Sequence, residues 1–255
     1  MRVTGGGVEE ARHSARVPRH GGGEGRAAAR AGRREIMDTV AVADRRIKEG
    51  QAYMDQERYD ETLEAYQDAM SIKRAALGDD DLDVGLLMIN IGRVYKLQKR
   101  YDEALKEYKD ALPILRAGLG EEHQVVGSTL NNMGNVHKTQ GRYAEALEAF
   151  EEALRIFRAG IAKDHPYQAY YSSTLSNLGN VYESQGRYDE AYKVTFEAMS
   201  MTNAVLGSED PLTVRLFNRT CSLTWRAELQ RQLATRTEAR GAPPRRSRRS
   251  RRRRA

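Results

Sequence analysis

The chain has 255 residues, of which 40% are hydrophobic and 31% are charged, and its formal net charge is +6. Its one cysteine, Cys221, excludes an internal disulfide framework and an all-cysteine metal site. It favours a reducing compartment, the cytoplasm or alternatively the nucleus. No run of about 18 apolar residues occurs, so the sequence predicts no membrane-spanning helix.

The charge is segregated along the chain. Residues 1–35 carry a net +4, residues 36–235 carry −7 and residues 236–255 carry +9. Glycine, alanine and arginine dominate residues 1–40, which lack apolar periodicity, so these residues are predicted to form a disordered arm. Neither glycine run in the arm is followed by the lysine and hydroxyl residue of a phosphate-binding loop. The arginine content leaves a targeting segment as an alternative.

Residues 41–214 contain one pattern repeated four times. It is anchored by glycines that lie 42, 42 and 45 residues apart, namely Gly50, Gly92, Gly134 and Gly179. A ring follows each glycine by three residues (Tyr53, Tyr95, His137, Tyr182), and a glutamine follows it by six (Gln56, Gln98, Gln140, Gln185). Such self-similarity at a fixed period is the signature of a repeat architecture.

Each unit has the spacing of two helices. In the third unit, Leu130, Met133 and Val136 recur at helical intervals before Gly141 breaks the pattern. A second apolar stripe follows and ends near Gly160, which is predicted to cap the helix. Gly134 is predicted to lie where the two helix backbones meet, next to Ala146 or Ala153. Helix pairs this short bury their apolar faces by stacking on one another, so the fold is predicted to be all-α.

These repeats resemble the tetratricopeptide family, which places small residues at its eighth and twentieth positions and an aromatic at its twenty-fourth. The sequence departs from that pattern at Thr62, a twentieth position, and at Thr195, a twenty-fourth position. The phrases at 119–123 and 164–166 are similar to the kinesin-light-chain subtype of the repeat. The resemblance implies a right-handed α-solenoid of helix-turn-helix repeats that binds other proteins.

The third and fourth units are separated by three additional residues, all within residues 165–171. Pro166 suits the first turn of a helix, so the insertion is predicted to add a turn to the helix that follows. Tyr167, Tyr170 and Tyr171 then either cover the junction between two repeats or form an exposed cluster at its rim.

Residues 215–235 are predicted to form a terminal capping helix. Leu216, Leu223 and Trp225 are apolar, and arginines separate them. A terminal helix covers the last apolar face of an array and shows a polar face to water, so Trp225 is expected to pack against the fourth repeat.

Residues 236–255 are predicted to be a disordered basic tail. A dense cationic segment attracts nucleic acid, acidic proteins or anionic surfaces with little selectivity. The alternative function for the protein is therefore association with nucleic acid or another polyanion through this tail, with the repeats recruiting partners. The other interpretation of the tail is a solvated appendage without a function. The arginines concerned are Arg245, Arg246, Arg248, Arg249, Arg251, Arg252, Arg253 and Arg254.

The family resemblance implies that the first helix of each repeat lines a concave peptide-binding groove. Asparagine is a poor helix former, and its amide offers both donors and an acceptor to a peptide backbone. The alternative is that these amides bond neighbouring repeats together. The predicted groove residues are Asn90, Arg93, Lys96, Asn131, Asn132, Asn135, Lys138, Asn177, Asn180 and Glu183.

A narrower hypothesis concerns a carboxylate clamp, because some tetratricopeptide domains hold a terminal carboxylate with asparagine and basic side chains. If the last helix keeps the 42-residue register, Arg215 and Arg219 join Asn135 and Asn177 in such a clamp. The position where the family has lysine is occupied by Asn131 in this sequence.

No catalytic constellation is apparent in the sequence. The histidines are scattered, and His137 stands where the sister repeats have tyrosine. The same residues recur in every unit, whereas an active site needs one distinctive cluster. The sequence therefore predicts a non-enzymatic scaffold with a protein or peptide partner, and no cofactor, metal or small-molecule substrate.

Overall fold

A computed structural model of the chain describes residues 22–161 and 166–241. These residues form nine α-helices and no strand. In chain order the helices are α1 (Gly22–Asp55), α2 (Tyr59–Leu77), α3 (Leu82–Leu97), α4 (Tyr101–Leu119), α5 (Gln124–Thr139), α6 (Tyr143–Ile161), α7 (Pro166–Ser184), α8 (Tyr188–Leu206) and α9 (Pro211–Gly241).

The helices form a stacked array of hairpins. Helices α1 to α8 pair as α1/α2, α3/α4, α5/α6 and α7/α8, and each second helix also contacts the first helix of the next pair. Helices α3 and α5 have 16 residues, whereas α7 has 19 and begins at Pro166. The predicted all-α repeat solenoid is confirmed, and the three inserted residues lengthen α7 as expected.

In the first three repeats the repeat glycine packs against a ring on the second helix of its own repeat. A Cβ atom on Gly92 would lie 2.7 Å from the Tyr108 ring, and one on Gly134 would lie 2.6 Å from the Phe150 ring. A larger side chain at Gly134 would overpack the helix contact as expected, and the group that it would meet is the Phe150 ring. In the fourth repeat Thr195 replaces the ring, and its hydroxyl oxygen is the nearest atom to Gly179.

Polar side chains at the turns of the second and third repeats join each of these repeats to the previous one. The Gln98 amide donates to Asp60 Oδ1 at 2.6 Å, and the Gln140 amide donates to Asp102 Oδ1 at 3.0 Å. These bonds reach back from one repeat to the previous one. They give the recurring glutamine a physical role in holding the repeats together.

The junction between the third and fourth repeats is covered by aromatic side chains. The Phe157 ring stacks on Tyr170 at 5.5 Å and meets Tyr167 edge-on at 6.4 Å. Buried Tyr171 donates from its hydroxyl to Glu197 at 2.7 Å. Gly160 lies inside α6 and accommodates the Tyr167 ring, so its predicted capping role is wrong.

Both ends of the array differ from the predicted boundaries. Residues 22–40 belong to helix α1 rather than to a disordered arm, and residues 1–21 lie outside the described part. Helix α9 begins at Pro211 and ends at Gly241, so it exceeds the predicted 215–235 at both ends. Trp225 is 65% exposed, which contradicts the expectation that it packs against the fourth repeat. Within the described ranges, no helix is both long and apolar enough to cross a membrane.

Candidate functional site

The predicted groove residues all lie on α3, α5 and α7, the first helices of three successive repeats. We call the surface formed by these side chains the first-helix face. Two hydrogen bonds show that neighbouring first helices meet there. Lys96 Nζ donates to Asn132 Oδ1 at 3.5 Å, and Asn177 Nδ2 donates to Asn131 Oδ1 at 3.2 Å. The stacking of the repeats therefore brings side chains that are 36 and 46 residues apart in sequence together on one surface.

The asparagines of this face divide into two groups. Asn131 and Asn177 bond to each other across repeats, and Asn135 donates to the Asn131 carbonyl oxygen at 3.0 Å. By contrast, the amides of Asn90 and Asn180 form no hydrogen bond with any other described residue, and both side chains are only half-buried. The bonds of the first group rigidify the array, and the amides of the second group have no partner among the described residues.

Two half-buried lysines give the first-helix face a positive potential. Burial lowers the pKa of Lys96, and the nearby Arg93 guanidinium lowers it further. Burial also lowers the pKa of Lys138, with repulsion from Arg219 and Lys96 adding to the effect. Neither ammonium group forms an ion pair within the described part of the chain; Lys138 bonds only to Asn135 Oδ1, at 3.1 Å. Each charge is therefore partly desolvated and uncompensated.

Glu183 is the one acidic residue among the predicted groove positions, and it is already engaged. Its carboxylate accepts from Arg219 at 3.2 Å and from Arg226 at 2.6 Å, both on α9. Because two guanidinium groups already neutralise the Glu183 carboxylate, it does not compensate the charges of the two lysines. The surface therefore remains cationic.

The proposed carboxylate clamp is not assembled as hypothesised. Arg219 is held by Glu183 and donates to the Ser176 carbonyl oxygen at 3.2 Å, so its charge is already paired. Arg215 is exposed, and among the described residues it makes no hydrogen bond to Asn135 or Asn177. The clamp stays a hypothesis that requires Arg219 to leave Glu183.

Other predicted features contribute nothing to this face. The tail arginines from Arg245 to Arg254 lie outside the described residues. Where the structure is described, no group of three or more metal-ligating side chains comes together. His123 has a local structural role, since its Nδ1 accepts from the Val125 backbone N–H at 3.2 Å at the start of α5. Sequence reasoning missed Arg226, which reaches Glu183 from the last helix.

The repeat pattern matches a known family. Residues 43–117, 90–159 and 125–191 match the tetratricopeptide repeat, and a second model of the same repeat matches residues 172–212. The chain belongs to the tetratricopeptide repeat family. No curated protein gives a significant match to it.

Solved structures share the fold of this tetratricopeptide array. The kinesin-light-chain nearly identical TPR-like repeats of Podosopora anserina are 17% identical with a TM-score of 0.63, over 78% of this chain and 92% of that one. BtubC (BKLC) from P. vanneervenii is 22% identical with a TM-score of 0.51, over 82% of this chain and 94% of that one. The predicted likeness to kinesin-light-chain repeats is confirmed at the level of the fold.

Proposed function

We propose that this protein is an interaction scaffold that binds an acidic, extended peptide segment of a partner protein along the concave groove formed by its first helices. Tetratricopeptide arrays serve generally as protein-interaction scaffolds. The observation that carries the finer proposal is the pair of desolvated ammonium groups, Lys96 and Lys138, without acidic partners in the described part of the chain.

The electrostatics favour an anionic ligand. A partly buried ammonium has lost hydration, and a carboxylate brought beside it restores favourable interactions for the charged form. A hydrogen bond to a charged group contributes about 1.5–3 kcal/mol, and about 1.4 kcal/mol corresponds to a tenfold change in affinity. Two such lysines are sufficient to discriminate strongly between acidic and neutral peptides.

The free asparagine amides favour an extended backbone. Asn90 lies on α3 and Asn180 on α7, the first helices of the repeats before and after the one that contains α5. Each amide can donate to a peptide carbonyl oxygen and accept from a peptide N–H group. Carboxylate side chains then meet the lysines while the peptide backbone meets the amides. This combination suits an acidic segment better than nucleic acid, whose phosphates offer no N–H group.

The proposal is tested with the full chain and a fluorescein-labelled, glutamate-rich decapeptide, by fluorescence anisotropy. The double variant Lys96→Gln/Lys138→Gln is expected to weaken binding about tenfold or more, because both ion pairs are lost. The matched control is Lys106→Gln/Lys193→Gln. It removes the same charge from exposed positions on second helices and is expected to change affinity less than about twofold.

A third variant separates the groove from the basic tail. Replacing the arginines from Arg245 to Arg254 by glutamine removes the polyanion-binding alternative while leaving the first-helix face intact. Retained affinity in this variant supports the groove. Equal losses in the lysine pair and in its control, or loss of all binding with the tail charges alone, would contradict the proposal.

A further inference from the structure

Helix α9 keeps the register of the first helices α3, α5 and α7. The side-chain bond from Lys96 to Asn132 spans 36 residues, and the bond between Glu183 and Arg219 spans the same interval. Arg219 therefore occupies in α9 the position that Asn132 occupies in α5. Two residues further on, Cys221 occupies the position of Gly134, whose absent side chain leaves room for a ring of the paired second helix.

The side of α9 that should meet a second helix is exposed and apolar. Phe217 corresponds to Met88 and Leu130, which are 6% and 4% exposed in their repeats, yet Phe217 is 55% exposed. Val214 and Cys221 share this side and are exposed as well. The opposite side of α9, with Leu216, Leu223 and Ala227, is buried in the array, whose neighbouring helix is α8.

The two ends of the array are therefore unlike. At the first end, α1 carries Arg45 and Glu49 in the places where α3 carries the buried Leu87 and Ile91. That end carries these charges, although Val42, in the place of the buried Val84, is 47% exposed there. End-to-end stacking of copies would bury these charges against the apolar last helix, which is unfavourable. The exposed side of α9 consequently needs a different cover.

We propose that a second copy of this chain covers α9, through an antiparallel pairing of the two α9 helices about a twofold axis at Cys221. The stripe formed by Phe217, Cys221 and Trp225 is symmetric in sequence, because the two rings lie four residues before and four residues after the cysteine. Antiparallel pairing places Phe217 of one copy against Trp225 of the other, twice. Asn218 then faces Thr224, which pairs polar with polar.

This stripe also has the geometry of a common helix contact. Residues four apart form ridges, and ridges of this kind from two helices interdigitate in the commonest class of helix packing. Because the paired helices of each internal repeat are themselves antiparallel, the partner α9 packs against the Phe217 side of α9 in the way that a second helix packs within each repeat.

The available area predicts a reversible dimer. The exposed parts of two phenylalanines and two tryptophans cover on the order of 500 Å². With the axis at Cys221 the two helices overlap only over residues 211–231, about 31 Å. A specific interface needs about 1,000 Å², so this contact lies at the weak end of specific association. We expect dissociation at roughly micromolar concentration, so that both species are visible in one dilution series.

The dimer is tested with the full chain by sedimentation velocity across a concentration series. The wild-type chain is expected to shift from monomer to dimer, and Phe217→Glu is expected to raise the dissociation constant at least about tenfold. The matched control is Phe196→Glu on α8, since Phe196 is 46% exposed but lies off the stripe, and it should leave the equilibrium unchanged. Circular dichroism confirms that both variants are folded.

The position of the axis is tested through the single cysteine. Copper–phenanthroline with dioxygen is expected to oxidise the two facing Cys221 thiols to one disulfide within the wild-type dimer, and this product should disappear in Phe217→Glu. A monomer at every concentration would overturn the proposal, and so would a dimer that Phe217→Glu leaves intact. A dimer whose Cys221 residues do not cross-link would equally exclude an axis at this residue.

Discussion

Replacing Gly134 by alanine tests whether close packing between the paired helices holds each repeat together. The new Cβ atom would lie 2.6 Å from the Phe150 ring, whereas carbon atoms in contact prefer about 3.5–4.0 Å. Phe150 is fully buried, so the ring has no free space into which it can move. Overpacking of this kind costs about 1–3 kcal/mol, and the gain in helix propensity returns about 1 kcal/mol. We expect a net loss of up to about 2 kcal/mol.

The matched control is Gly32→Ala in α1. It makes the same chemical change inside a helix, but nothing lies within 4 Å of the new Cβ atom, so only the propensity gain of up to about 1 kcal/mol remains. Urea midpoints measured by helical circular dichroism compare the two variants. Adding Phe150→Leu to Gly134→Ala should recover part of the loss. If both glycine variants shift the midpoint in the same direction, or if Phe150→Leu has no effect on the loss, the packing explanation is wrong.

Three further predictions concern His137, Lys99 and the groove. Burial and then Arg142 lower the pKa of His137, so its stabilising contribution is complete above its unfolded value of about 6.5 and is lost as the pH falls below it. His137→Tyr should therefore flatten the acid side of a pH–stability curve; an unchanged curve would contradict this. Lys99 has a φ of 62°, where two sister repeats have glycine, so Lys99→Gly should raise the thermal midpoint and the free energy of unfolding by up to about 1 kcal/mol. A bound carboxylate favours the charged lysines, so it raises the lowered pKa of Lys96 and Lys138. Affinity for the glutamate-rich peptide should therefore be highest at neutral pH and fall as the pH rises and these lysines lose their protons. Anisotropy titrations over a pH series measure this.

The repeat itself could be predicted from sequence because its determinants are local. The glycine spacing sets the register, and Pro166 sets the start of the lengthened α7. By contrast, composition predicts disorder for residues 22–40, yet they continue the helix that packs as the first element of the array. Helices can extend beyond their packed segment once a nucleus exists, because each added residue forms another backbone bond.

The site was predictable in part. The repeat register places the asparagines and lysines on one surface, but it does not show which groups are paired. Asn131 and Asn177 are hydrogen-bonded to each other, and Arg219 forms an ion pair with Glu183. Those pairings depend on the offset between neighbouring helices. The sequence predicts that Trp225 packs against the fourth repeat, because a terminal helix covers the last apolar face of an array, yet it is 65% exposed. In the register of the first helices Trp225 stands at the position of Lys96 and Lys138, on the first-helix face.

The binding account is tested most directly by locating the peptide on the full chain. In ¹H–¹⁵N spectra, titration with the glutamate-rich decapeptide should shift the side-chain amide signals of Asn90 and Asn180. The amide of Asn203, which is exposed on the second helix α8, should stay unchanged. Shifts that spare Asn90 and Asn180 and appear only at Asn203 or in the arginine tail would contradict a ligand site on the first-helix face.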